Sequence, residues 1–392
     1  MRSIKTMEIN IMLKEDLIPH LEEIKEIRQF EETVLRETNI PIVDISHWNS
    51  GNLYKNFILS QYKADAPLDI SDYHYSYEYN NNMKSRVLHQ LLGTSLNDLE
   101  CVFIHNATSA ICCIADYLNK QRYKKVCLLE PSYFSTCVCL SSFGLNVYKE
   151  KITLDSNGNI EFPYDNIIRN SYDAVWITSP VFSTGIYFSK TQIEYINALI
   201  KREIFIIVDE SAASPNCALT PNLRPNENLI SIFSPHKYLA LNSIKFAAII
   251  CSESARKYFE DWIDVFIGSL PLSSCVAVEH YLSPNYNLCL NNHDKYIKTN
   301  IQQIEELCVL FPDNYFNGIA SNYITMCNKA IPYRNSLKEI NMLNIMRQTH
   351  VSFIPGYINS FSKDWGFCYR INLTLDTHVL KNCLGRLFSY FL

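Results

Sequence analysis

The stretch EIFIIVDE, residues 203–210, runs through five apolar residues without a break and then meets two carboxylates. Uninterrupted apolar runs this short suit strands covered on both faces, as in largely parallel sheets. The same pattern recurs in KKVCLLE (124–130), DAVWIT (173–178), LISIFS (229–234) and KFAAIICS (245–252). Between several of these runs lie helix-like stretches: ATSAICCIADYLNKQ, SYFSTCVCLSSFG and SKTQIEYINALIKR. Strand and helix in alternation predict an α/β domain with a doubly wound, mostly parallel sheet. Its ligand site is then expected beyond the carboxyl ends of the strands.

The two ends of the chain read differently. Leu17, Leu21, Ile24, Ile27 and Val34 fall at helical spacing within 14–36, with charged residues between them. Val379, Cys383, Leu384, Leu387 and Phe388 do the same after a cap at Asp376 and Thr377. LNIMRQTHVSFIPGYINSFSKDWGFCYRINLTLD (343–376) reads as two strands joined by a loop. The expectation is a large α/β domain over 60–290 and a smaller α+β domain built from 1–59 together with 291–392. YHYSYEYNNN (73–82) stands apart, with tyrosines at alternate positions before an asparagine run. It reads as an exposed loop, either a plain surface segment or one that reaches a partner subunit.

Bulk composition excludes more than it selects. The chain has 392 residues, 47% of them hydrophobic and 19% charged, with a formal net charge of -5. That is room for one large domain or two in contact, and no charge excess favours nucleic acid. No run is apolar for long enough to span a bilayer, and MRSIKTMEINIMLKEDL places charges where a signal peptide has its apolar core. A cytoplasmic protein is expected. The fourteen cysteines lie mostly inside apolar runs and lack paired C-x-x-C spacing. They read as small buried hydrophobes in a reducing compartment rather than as disulfides or metal ligands.

Three elements carry candidate chemistry. Asp209 ends the most apolar strand, where a carboxylate is costly unless it meets a cation at the sheet's edge. Lys237 follows the next strand and emerges at the same edge; burial turns such a lysine into a nucleophile. On these two residues alone, a structural ion pair and a reactive site remain equally open. The third element is CVFIHNATSAICC (101–113), a strand end that opens a helix. There Asn106, Ala107 and Thr108 offer backbone N–H groups to an anion. With the Ser234 hydroxyl and the Lys245 cation they would make a phosphate cup.

In this order the segments resemble the fold type I pyridoxal-phosphate enzymes of the class I/II aminotransferase family. NATSAI resembles the phosphate-binding turn, EPSY the segment whose aromatic residue, here Tyr133, stacks on the cofactor, and SPVFSTG the N-P-x-N-P-T-G loop. VDES resembles the strand end that sets Asp209 on the pyridine nitrogen, and SPHK the segment of the Schiff-base lysine, Lys237. Ser234 and Lys245 then bind phosphate, with Lys245 where the family has arginine. GFCYRINL resembles the motif whose arginine, Arg370, clasps the substrate α-carboxylate, a task suited to its planar fork. ISHWNSGN (45–52) resembles the segment over the substrate, with Trp48 and Asn49 as candidate substrate contacts beside His47. The resemblance further implies pyridoxal 5'-phosphate as cofactor, an amino acid as substrate and a homodimer. Tyr75 or Tyr77 would then reach the partner's phosphate.

The pattern also departs from the family. Phe182 and Ala212 stand where the family places an asparagine and a tyrosine that bond the cofactor's phenolic oxygen. Either another group supplies that bond, or the phenolate is less stabilised and the cofactor absorbance titrates at higher pH. Transamination is the implied default. Decarboxylation, elimination or replacement, cyclisation and oxidation use the same three residues, Asp209, Lys237 and Arg370. A non-catalytic descendant has no reason to keep all three.

Overall fold

The protein is described by a computed structural model, in which the described residues are 18–61, 99–155, 159–214, 217–237, 242, 245–271, 274, 286–318 and 322–392. Its largest sheet has seven strands: β2 (Glu100–Ile104), β3 (Lys125–Glu130), β4 (Asn146–Lys151), β7 (Ala174–Thr178), β8 (Phe205–Glu210), β9 (Leu229–Phe233) and β10 (Ala247–Cys251). Their order is β2-β10-β9-β8-β7-β3-β4. All the pairings from β9 to β4 are parallel, and β10 alone runs antiparallel to both neighbours. The mostly parallel reading holds; the reversed β10 was not anticipated, because an apolar run has the same appearance in either direction.

Continuous burial explains the continuous apolar runs. Along β8, Phe205 and Ile207 enter a core with the helices Ala107–Lys120 and Glu253–Phe266. Ile206 and Val208 enter the opposite core, with the helix Lys190–Lys201. Each face of the strand needs its own apolar set, so the period of two is filled at every position. Ser189 and Gln192 close a capping box at the head of that second helix, satisfying amides that its first turn leaves free.

The rest of the described chain forms smaller sheets. β5 (Thr153–Leu154) pairs antiparallel with β6 (Ile160–Glu161), and β1 (Val43–Asp44) pairs in parallel with β13 (Val351–Ser352). β11 (Asn314–Tyr315), β12 (Tyr323–Asn328) and β14 (Phe367–Asn372) form an antiparallel sheet. A further core unites the helices Ile18–Thr38, Tyr286–Leu310, Met342–Thr349 and Thr377–Tyr390 with these strands.

Two expectations are corrected here. Segment 343–376 holds two strands, β13 and β14, but it opens on an unforeseen helix: Met342, Ile345, Met346 and Thr349 are buried at i, i+3, i+4 and i+7. Asp376 sits at the N-cap of the terminal helix without bonding its amides. Its Oδ1 instead accepts the Leu53 amide at 3.0 Å and the Tyr296 hydroxyl at 3.1 Å. A Cβ on Gly51 would lie 2.5 Å from Asp376 N, so only glycine lets segment 45–51 dock this closely. That docking positions Trp48.

Candidate active site

The carboxyl ends of β7 and β8 and the turn after β9 open on a cavity of about 380 Å³. Trp48, Asn49, Asn106, Ala107, Thr108, Tyr133, Asp209, Lys237 and Lys245 all line it. Residues as far apart in sequence as Trp48 and Lys245 thus converge at one sheet edge. Ser234 and Arg370 stand outside that lining; both are buried. Tyr75 and Tyr77, with the whole tyrosine ladder, lie outside the described residues.

Register places the acid. Asp209 is the Cα partner of Thr178 on β7, so the two side chains share the face that carries Ile207 and Trp176. Asp209 is 5% exposed. Its Oδ1 accepts the Ser211 amide at 3.0 Å and the Ser211 hydroxyl at 2.5 Å. Oδ2 has no hydrogen-bond partner among the described residues. A buried carboxylate satisfied on one oxygen and bare on the other is an acceptor waiting for a donor.

Lys237 closes the single 3-10 turn Pro235–Lys237 that follows β9, its amide bonded to the Ser234 carbonyl at 3.1 Å. Its own carbonyl accepts Asn322 Nδ2 at 2.8 Å, tying the turn to the neighbouring layer. Burial holds the amine below its ordinary pKa; the charge of Arg370 adds to this, while Asp209 opposes it. Among the described residues no ion pair or hydrogen bond joins Lys237 to Asp209. They act on each other through space, so the structural ion pair left open above does not form. The Lys237 ammonium position lies 5.6 Å from the Trp48 ring centre.

The opposite end of the cavity suits an anion. Asn106 caps the helix Ala107–Lys120 by accepting the Ser109 amide at 2.9 Å. The Ala107 and Thr108 amides remain outside that cap, at the positive end of a fourteen-residue helix. Ser234 is 2% exposed, and its hydroxyl lacks a partner among the described residues. Lys245 is exposed at the cavity rim and brings charge to the same end. Tyr133 begins the next helix, with Phe182 6.1 Å away between ring centres.

Arg370 comes from β14. Its Nη2 donates to the Ser46 carbonyl at 2.6 Å, and its guanidinium stacks 4.1 Å from the Trp48 ring centre. Tyr323 lies 5.2 Å from the same guanidinium and packs edge-on against Trp48, their ring centres 5.1 Å apart. Nε is buried without a partner among the described residues, leaving donor capacity on an oriented fork. Asn372 Nδ2 holds the His47 and Asn49 carbonyls at 2.7 and 2.9 Å, and Asn242 Nδ2 holds the Trp48 carbonyl at 2.9 Å. Asn49 thus serves the site through its backbone, while its side chain is exposed.

Among the lining residues that sequence reasoning missed are Thr178, Ser211 and His236. Each immediately ends or follows a strand already recognised, and that position was the available signal. His236 Nδ1 bonds the Phe246 carbonyl at 2.8 Å; burial and the neighbouring Lys237 push its pKa down to about 4, so the ring stays neutral. Phe182 and Ala212 also line the cavity, and neither side chain can donate a hydrogen bond. Among the described residues every cysteine is a free thiol, no cluster suits a metal ion, and no helix is long and apolar enough to cross a membrane.

No family model and no curated protein sequence matches the chain. Solved structures do. A methionine aminotransferase from Escherichia coli superposes with a TM-score of 0.74 at 12% identity, covering 93% of this chain and 96% of its own. A multiple substrate aminotransferase from Thermococcus profundus gives 0.73 at 9%, covering 93% and 94%. A pyridoxal-phosphate-bound C-S lyase from Staphylococcus hominis gives 0.69 at 14%, covering 89% and 91%.

Proposed function

The chain has the fold of the fold type I pyridoxal-phosphate-dependent aminotransferases, and we propose that it is an enzyme of that kind, transaminating an amino acid in a specialised biosynthetic step. The observation that carries this reading is one cavity edged by an amine of lowered pKa, a half-satisfied buried carboxylate and the head of a helix.

The residues fit the cofactor. The unpartnered Ser234 hydroxyl, the Ala107 and Thr108 amides and Lys245 match a phosphate. The free Oδ2 of Asp209 matches a protonated ring nitrogen, and Tyr133 offers a ring face. When bound, pyridoxal phosphate supplies an electron sink for bonds broken at the α-carbon of an attached amino acid.

Each residue then has a task of its own. Asp209 keeps a proton on the ring nitrogen, because a buried anion favours the charged form of its partner. Lys237 Nζ is the attachment point for the aldehyde. As a free amine it takes the substrate's α-proton and returns it, a role that burial favours by lowering its pKa. Arg370 receives the α-carboxylate on the fork that Ser46 and Trp48 orient. Trp48 covers the space between Lys237 and Arg370 and keeps water from the amine. By the family resemblance, the working unit is a homodimer.

The test begins with uptake. Purified protein given pyridoxal phosphate and then borohydride is expected to carry the reduced cofactor on Lys237, read by peptide mass spectrometry. A panel of amino acids, with and without an α-keto acid, then identifies the reaction. Pyridoxamine phosphate marks transamination, whereas substrate loss without it marks elimination or decarboxylation. No uptake, or full turnover by Lys237→Ala, overturns the reading.

A further inference from the structure

Neither Phe182 nor Ala212 can donate to a phenolic oxygen, yet the cavity holds an uncommitted donor close to Asp209. Thr178 is the last residue of β7, 7% exposed, and lines the cavity. Its Oγ1 is buried with no hydrogen-bond partner among the described residues. A hydroxyl left so costs about 1–3 kcal/mol, a cost that a ligand acceptor would remove. The other hydroxyl beside Asp209, on Ser211, is already committed to Asp209 Oδ1.

Sheet order says which edge of a bound ring Thr178 meets. The strands run β2-β10-β9-β8-β7, with Asp209 on β8. The anion-binding groups all lie to the β9 side: Ser234 follows β9, and the helix beginning at Ala107 follows β2. In pyridoxal phosphate the phosphate arm and the phenolic oxygen sit on opposite sides of the axis through the ring nitrogen. With the nitrogen on β8 and the phosphate toward β9 and β2, the edge bearing the phenolic oxygen turns toward β7. Thr178 is the Cα partner of Asp209 on that strand and shares its face.

We infer that Thr178 donates the hydrogen bond to the cofactor's phenolic oxygen, in place of the two donors lost at Phe182 and Ala212. The inference rests on the site being a pyridoxal-phosphate site. It makes Thr178 a cofactor-binding residue that sets the electronics of the lysine-bound cofactor. A donor to the phenolate draws negative charge away from the neighbouring imine nitrogen and lowers the pH at which that nitrogen loses its proton.

The experiment is a spectrophotometric pH titration of the cofactor-loaded native chain against Thr178→Val, which removes the hydroxyl at nearly constant volume. Asp209, His236, Lys237, Lys245 and Arg370 are unchanged in both, so the charged surroundings cancel. The expected result is a midpoint raised by about one pH unit in the valine chain, the size that one hydrogen bond to a charged group supplies. Thr178→Ser keeps the native midpoint, and Thr178→Val with Phe182→Asn moves it back down. A second measurement uses affinity: Thr178→Val, or Thr178→Ala should the valine chain not fold, binds pyridoxal phosphate about tenfold more weakly. The same substitution leaves affinity for the 3-deoxy analogue, which lacks the phenolic oxygen, unchanged. A midpoint that does not move, or an equal loss with both cofactors, overturns the assignment of Thr178. Failure of the native chain to take up either cofactor overturns the functional reading instead.

Discussion

Asp209 and Glu210 end the same strand one residue apart, at 5% and 1% exposure, yet the two faces of the sheet treat them in opposite ways. Glu210 turns toward the core of Ile206 and Val208, where Thr220 N donates to it at 3.1 Å and Leu219 N and the Thr220 hydroxyl also donate. Thr220 is in turn bonded to Ser231 at 2.5 Å. Both oxygens are in use. Asp209 turns toward the cavity, bonded among the described residues only by Ser211 on one oxygen. Equal burial therefore does not mean equal role. The carboxylate whose hydrogen bonds are complete holds a loop, and the one left incomplete is open to a ligand.

The sharpest way to break this comparison is to remove each acid in turn. Asp209→Ala is expected to lower kcat about 1000-fold, roughly 4 kcal/mol, with little change in the urea midpoint. Steady-state kinetics beside denaturant melts read both quantities. Glu210→Ala should do the reverse. It leaves three buried donors unpaired and costs about 3 kcal/mol of stability, while kinetics of the folded fraction stay within about twofold. If the two variants lose stability equally, the distinction between the faces is wrong.

Titration sharpens the same contrast. Burial pushes the Glu210 carboxyl up to about 7, with its three donors pulling the other way and Asp209 adding to the rise. A raised folded-state pKa means that the folded chain keeps its proton longer than the unfolded one. The stabilisation is whole below the unfolded value of about 4.5 and is lost as pH rises through about 7. Native stability relative to Glu210→Gln should therefore fall by about 3 kcal/mol across that window, measured by denaturant melts at stepped pH. A flat difference would show that the donors outweigh burial. The smallest expected effect is at the lid: Trp48→Leu removes the ring under Arg370 and should raise KM about fivefold, near 1 kcal/mol, with kcat nearly intact.

Much of this site was legible because its residues mark strand ends. An apolar run that stops at a carboxylate (203–210), or at a serine and then a lysine (229–237), announces both a buried strand and what waits at its edge. The helix head at Asn106 was equally legible, since the cap is local chemistry. The reversed β10 was not, because direction leaves no mark on an apolar run. The helix at Met342–Thr349 was missed because its four buried positions run directly into a segment that does hold two strands. The role of Asp376 could not be read either, because its partners, Leu53 and Tyr296, lie 323 and 80 residues away.

The amino-acid order alone determined which strands are covered on both faces and where the acid, the amine and the capped helix head fall. These follow from local periodicity and from the cost of burying charge, which act within a few residues. Only the tertiary structure decided that Asp209 and Lys237 share a cavity without pairing, that Trp48 spans the gap from Lys237 to Arg370, and that Thr178 stands beside Asp209 with an unused hydroxyl. Those facts depend on strand order and register, which are set by packing between segments far apart in the chain.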